Sequence, residues 1–365
     1  MDKTRIHMRR TSTRATIGAV ALTCLLCCAT TTPIRAEPPL LAENAVGVWK
    51  KCSPMPQGAV FAGTVLGPNG RIYVVSGSTR YDVHLTAAVH VYDPEQDTWT
   101  EASPLPTPRT EPGAAVGPDG RVYILGGSDP DHKKNVAEAY DPRIDSWSRL
   151  APVPTPREAL CAVAAPGTDG QVRIYAIGGR DRAKPGNGLS AVEAYNPVTN
   201  RWSTMAPMPT PRHAQTATLG PDGRIYVLGG TNAKLSATNL VEIYDPGKDS
   251  WTRGRSTPYG QECAAAASSP GPEGEVLMIG GWDARKRPLR RGAAFHPRTH
   301  TWRTLPPPSC ARAAGGAVVL RKAEGEIDLY LLGGTGEDGQ GRRHPDVPVE
   351  TTVEKYSFRP ASRHL

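Results

Sequence analysis

Apolar positions along the chain fall in short, evenly spaced runs, each followed by small residues. RIYVVSG stands at 71–77, RVYILGG at 121–127, RIYAIGG at 173–179, RIYVLGG at 224–230, EVLMIGG at 275–281 and DLYLLGG at 328–334. Runs this short, rich in Ile, Val and Tyr and bounded by glycine, predict buried strands rather than helices. Aligned on the last glycine of each run, the copies are 50, 52, 51, 51 and 53 residues apart. Polar turn signals precede them: GPNG 67–70, GPDG 117–120, GTDG 167–170, GPDG 220–223, GPEG 271–274 and the degenerate KAEG 322–325. Proline, then Asp or Asn, then glycine suits a tight hairpin. Downstream an aromatic residue is followed seven positions later by tryptophan, as in Tyr92/Trp99, Tyr140/Trp147, Tyr195/Trp202, Tyr244/Trp251 and Phe295/Trp302.

Each unit therefore predicts four strands: a small-residue strand such as GAAV or CAAAASS, the RIYVLGG strand, the Tyr strand and the Trp strand. Four antiparallel strands in about 50 residues, repeated, are the pattern of a propeller blade. Alanine and glycine come where blades crowd at an axis, and Tyr and Trp where diverging blades leave volume to fill. The sixth unit ends at Glu354-Lys355-Tyr356-Ser357-Phe358 without a Trp strand, whereas Val48-Trp49-Lys50-Lys51-Cys52-Ser53-Pro54-Met55-Pro56 matches the Trp strand beginning at Thr98. An N-terminal outer strand completing the C-terminal blade would hide both open edges. The expected fold is all-β: six blades, closed in this way, over residues 44–360.

These residues closely resemble the kelch repeat: apolar strand, Gly-Gly, then Tyr and Trp at fixed separation. The resemblance implies a kelch β-propeller. It does not imply one activity, because such propellers include protein-binding adaptors, secreted carbohydrate-active enzymes and sugar isomerases.

Charge changes meaning once the N-terminus is read. Lys3, Arg5, Arg9, Arg10 and Arg14 precede an apolar run from Ala15 to about Thr30, and Pro33-Ile34-Arg35-Ala36 ends in a small residue. That order predicts a secretory signal, residues 1–36, cut near Ala36, then a short linker over 37–43 and a tail over 361–365. The chain is thereby expected to be secreted or periplasmic, by Sec or twin-arginine export, with no membrane span after the signal. Removing 1–36 takes away six Lys/Arg and one Asp, lowering the formal charge from +8 to +3. Nucleic-acid binding loses its main support. Cys52, Cys161, Cys263 and Cys310 fit no zinc or redox spacing and read as unpaired thiols, with one disulfide as the alternative.

Function is sought where the repeats differ, at the end carrying the blade-to-blade links and the loops after Gly-Gly. Gln57, Arg109, Arg157, Arg212, Gln261 and Arg312 are assigned to one structural step and would form a ring at the channel mouth, with Glu158, His213 and Glu262 just inside. Guanidinium groups so placed suit an anion, with a neighbouring acid/base. The same arginines can instead bind backbone carbonyls and glutamates as part of the scaffold. The loop WDARKRPLRRGAAF adds Trp282, an indole among cations that can stack on a sugar or pack on its neighbour. Asp129, Asp131, His132, Glu337, Asp338 and His344 have no metal-site spacing, so no metal and no cofactor are assigned.

Two functions follow. The first is a binding module that recognises a protein segment or glycan across the variable face. The alternative is a small enzyme acting on an acidic sugar, resembling the sialic-acid mutarotases (N-acetylneuraminate epimerases), whose active loop would correspond to Asp283 and Arg290 here. In that chemistry arginine holds the substrate carboxylate while an acid/base moves the anomeric proton. A copper oxidase of the galactose-oxidase type also uses kelch blades, but Cys161 and Cys263 lie on nonadjacent inner strands. The binding module is the reading adopted.

Overall fold

The computed structural model describes residues 48–80, 84–131, 134–181, 188–322, 325–336 and 349–359. The predicted signal, linker and tail lie outside the described residues. Six four-stranded antiparallel sheets make up the described chain. Blade 1 consists of Gly63–Leu66, Ile72–Val75, Val89–Asp93 and Thr98–Ala102. The first strands of blades 2 to 6 are Gly113–Val116, Cys161–Pro166, Thr216–Leu219, Ala265–Ser268 and Gly316–Arg321. Blade 6 is completed by Lys50–Cys52, which pairs antiparallel with Val353–Phe358 in the register Lys50↔Lys355, Lys51↔Glu354 and Cys52↔Val353. The expected closure is present.

The sequence pattern follows from this stacking. Every RIYVLGG strand is sandwiched between two neighbouring blades and is buried over its last four positions, hence its continuous apolar run. One hydrophobic cluster fills each of the six blade-to-blade interfaces; that between blades 6 and 1 joins Tyr330, Leu332 and Val353 to Ile72, Val74 and Tyr92. Outer strands are largely solvated, with Trp as their repeated partly or fully buried residue. Each indole reaches the preceding link, as Trp147 Nε1 does to Ser103 O at 2.8 Å and Trp49 Nε1 to Pro306 O at 2.8 Å. The turn between the Tyr and Trp strands is tied by a residue five positions after the tyrosine: Tyr140 Oη donates to Asp145 at 2.6 Å, and Asp145 accepts the Ser103 N–H at 2.8 Å.

The Gly-Gly pair is one place where adjacent blades approach closely. Gly126 and Gly127 both have positive φ, and a Cβ on Gly126 would stand 2.5 Å from the carbonyl oxygen of Arg157 in the next blade. L-residues other than glycine resist that geometry.

Candidate functional site

The link entering each blade carries three consecutive positions with different tasks. The first is Ala59, Arg109, Arg157, Arg212, Gln261 and Arg312. At all six, the backbone carbonyl accepts the N–H of the preceding blade's second glycine, at 2.8–3.1 Å. Gln57 does not belong here, which corrects its predicted placement: Ala59 occupies the step, and Gln57 is exposed two residues upstream.

A further correction concerns the arginine ring. Arg109, Arg157, Arg212 and Arg312 turn into their own blades, with relative exposures of 0%, 0%, 0% and 1%. Arg109 bonds Glu138, the Thr107 carbonyl and the Ile124 carbonyl. Arg157 meets Glu193 at 2.6 Å, Arg212 meets Glu242 at 2.7 Å, and Arg312 meets Glu354 at 2.8 Å. Burial holds the guanidinium groups of Arg109, Arg157 and Arg212 below the usual arginine range, with the glutamates opposing that shift. A guanidinium so enclosed is a clamp between a blade's strands, and no ligand reaches it. Sequence alone contained a signal for the partner. Glutamate stands two residues before the strand-three tyrosine in the four blades that have arginine, whereas blades 1 and 5 substitute both members, with Ala59/His90 and Gln261/Ala293.

The second position is Val60, Thr110, Glu158, His213, Glu262 and Ala313, each bridged to the residue after Gly-Gly. Glu158, His213 and Glu262 are buried. Glu158 accepts from Arg180 Nε at 3.0 Å, and Arg180 Nη2 also reaches Glu111 at 2.9 Å. Glu262 is held by Lys286 and the Thr231 hydroxyl.

Phe61, Glu111, Ala159, Ala214, Cys263 and Ala314 form the third position, which is the true rim. All six are non-glycine residues with φ between 50° and 56°. The Phe61 N–H donates to Ala314 O, Glu111 to Phe61, Ala159 to Glu111, Ala214 to Ala159, Cys263 to Ala214 and Ala314 to Cys263, at 2.7–3.1 Å. This closed circle of six backbone bonds over-determines the left-handed conformation, as strained residues require. Nothing in the sequence flagged it, because the rim residues share no side-chain type.

Inside the rim lies a channel of about 190 Å³ walled by small residues such as Ala114, Ala162, Thr216 and Ala266, with Cys161, Gln215 and Cys263. Cys52, Cys161, Cys263 and Cys310 are unpaired. Burial pushes the Cys161 thiol up to about 12 and Cys263 well above its ordinary value, so neither presents a thiolate. Trp282 is 1% exposed and packs on Phe61 at 5.8 Å between ring centroids. Asp283 and Arg290 are not brought together: Asp283 pairs with Arg287 at 2.7 Å, and Arg290 donates to Pro308 O at 2.6 Å. The described residues contain no cluster of metal-ligating side chains and no helix long and apolar enough to cross a membrane. His132, Glu337, Asp338 and His344 lie outside the described residues.

Blade 1 carries a consequence of its missing clamp. His90 occupies the glutamate position, is buried, and has no hydrogen-bond partner for either ring nitrogen among the described residues. Burial lowers its pKa, partly opposed by Glu101 on the adjoining strand. A base whose folded pKa is depressed is protonated more in the unfolded chain, so its penalty is absent above the unfolded value of about 6.5 and grows as pH falls through it. Chemical denaturation at a series of pH values is expected to show a shallower acid slope for His90→Gln than for the wild type. An unchanged slope would count against a neutral buried imidazole.

Comparison with known proteins agrees with the geometry. The profile of the KLHDC2/KLHL20/DRC7 Kelch-repeats domain matches residues 48–230, and that of the Kelch motif matches 212–258 and 265–309. The chain belongs to the kelch-repeat family. It is similar to Kelch-like protein 35 of Mus musculus, 27% identical over 53% of this chain and 29% of that protein. Kelch-like protein terF of Aspergillus terreus is 34% identical over 39% of this chain and 32% of its own length. Beta-scruin of Limulus polyphemus is 29% identical over 37% of this chain and 14% of its own. The matches thus span about a third or less of these relatives. Among solved structures, that entitled "Structure of YjhT" has a TM-score of 0.64 at 16% identity, covering 83% of this chain and 96% of its own, which shows a shared fold.

Proposed function

We propose that this protein is a kelch binding module that recognises a protein segment through the loop face around the channel mouth. The burial of all four link arginines against glutamates carries this reading. It removes from the mouth the guanidinium groups that an acidic-sugar enzyme would use, and leaves a rigid ring whose variation lies in exposed loops. Kelch-like relatives support a recognition role. A glycan partner has less support, since Trp282, the expected stacking surface, is covered. We also propose export, with residues 1–36 as the signal; N-terminal sequencing of the exported protein is expected to begin near Glu37.

Selection of a random peptide-display library on the full chain is expected to enrich binders. Thermal-shift measurements with sialic acid, uronates and inorganic phosphate are expected to show no stabilisation. A shift with an acidic sugar, together with no enriched peptide, would overturn the module in favour of the enzyme.

A further inference from the structure

Blades 4 and 5 differ from the others in the loops that follow Gly-Gly. Segment 231–240 contains Lys234 and no carboxylate, and segment 282–291 contains Arg285, Lys286, Arg287, Arg290 and Arg291 against Asp283 alone. Including Glu262 from the link, six cations face two carboxylates. Lys286 is engaged by Glu262 and Arg287 by Asp283. Arg290 is held by a backbone carbonyl, and Arg291 lies 5.0 Å over the Tyr259 ring. Lys234 and Arg285 stand exposed at the loop tips.

Both loops are preformed by the same turn. Asn232 Oδ1 accepts the N–H groups of Lys234 and Ser236 at 2.9 and 3.3 Å, and Asp283 Oδ1 accepts those of Arg285 and Arg287 at 2.8 and 2.9 Å. Leu235 and Lys286 take the matching left-handed positions, with φ of 57° and 60°. Between the loops runs an open cleft of about 470 Å³, with Asn232 and Asn239 on one wall, Asp283, Arg285 and Arg287 on the other, and Gly260 lining it between them. Leu235, at the tip of the blade-4 loop, is 56% exposed and is one of four large apolar side chains so exposed among the described residues.

We infer that this cleft is the docking surface for an acidic protein segment with an aliphatic residue beside its carboxylates. The inference rests on the binding-module reading and deepens it. Excess cations supply charge complementarity at the rim and accelerate encounter. Leu235 supplies an apolar contact that a polyanionic glycan would not use, and among the described residues no large aromatic side chain is exposed for sugar stacking. Two loops already locked in one turn spare the ordering entropy that flexible loops lose on binding.

The probe is the display library selected on the full chain. Enriched sequences are expected to combine Asp or Glu with Leu, Ile or Val. A synthetic copy of the leading sequence is expected to bind about tenfold more weakly to Lys234→Glu/Arg285→Glu, and more weakly to wild type as salt rises. Leu235→Ser is expected to weaken it by about threefold. Lys234 and Arg285 are exposed, so these variants should melt with the wild type. Enriched peptides without acidic residues, or binding that the charge reversals leave intact, would overturn this surface while leaving the module standing. Failure to enrich any peptide would overturn both. Binding of polygalacturonate that is lost in the same variants would replace the peptide with a glycan.

Discussion

Replacing Glu242 with alanine is expected to cost about 3–5 kcal/mol of stability, the range for an ion left buried without its partner. Arg212 is wholly enclosed, and Glu242 at 2.7 Å is its counter-ion; the Gly229 and Leu240 carbonyls would remain as its oxygen acceptors. The informative comparison is Glu242→Ala combined with Arg212→Gln, the pairing that blade 5 uses at Gln261 and Ala293. Removing both charges removes the uncompensated ion, so the double variant should be more stable than Glu242→Ala despite carrying one more change. Denaturant midpoints across the four proteins of the cycle measure the coupling. Additive losses would mean that the pair does not act as a unit.

The second large effect concerns ring closure. A chain beginning at Val48 should melt with the full-length protein, whereas one beginning at Gly58 should lose about 5 kcal/mol or more and aggregate on warming. The shorter chain lacks three ladder residues beside Val353–Phe358, the Trp49 ring packed 5.6 Å from Tyr356, and buried Met55. It also bares a strand edge able to pair with another molecule. Light scattering during a thermal ramp separates the two chains; equal melting would contradict closure by the N-terminal strand.

The scaffold was legible because its causes repeat. A strand stacked between two sheets must be apolar throughout, a hairpin needs its glycine, and a tyrosine bonded to the aspartate five residues on needs that spacing, so each requirement is written several times. Closure was legible for the same reason, since Trp49 matches Trp99. The site was not. Arg109, Arg157, Arg212 and Arg312 repeat because they perform one structural task six times over, less the two blades that dropped it, and repetition of that kind marks assembly. Their burial depends on which way a side chain turns off the link, and the partner that decides this, such as Glu193 for Arg157, lies 36 residues away. Gln57 was misplaced because it follows Pro56 as Arg109 follows Pro108, whereas Pro56 stands seven residues before Gly63 and Pro108 only five before Gly113; the bridge from Val60 to Ser78 is what fixes the step. The rim residues carried no residue-type signal, since their shared property is a backbone angle.

The link arginines lie in the interior, whereas Arg285 and Arg291 lie exposed on the loops. Phenylglyoxal modification of the folded full-length chain, followed by peptide mass spectrometry, tests this placement residue by residue. Arg285 and Arg291 should react readily, while Arg109, Arg157, Arg212 and Arg312 should stay protected until the protein is unfolded. Modification of those four in the native protein at the rate of Arg285 would put them back at the channel mouth and contradict the account.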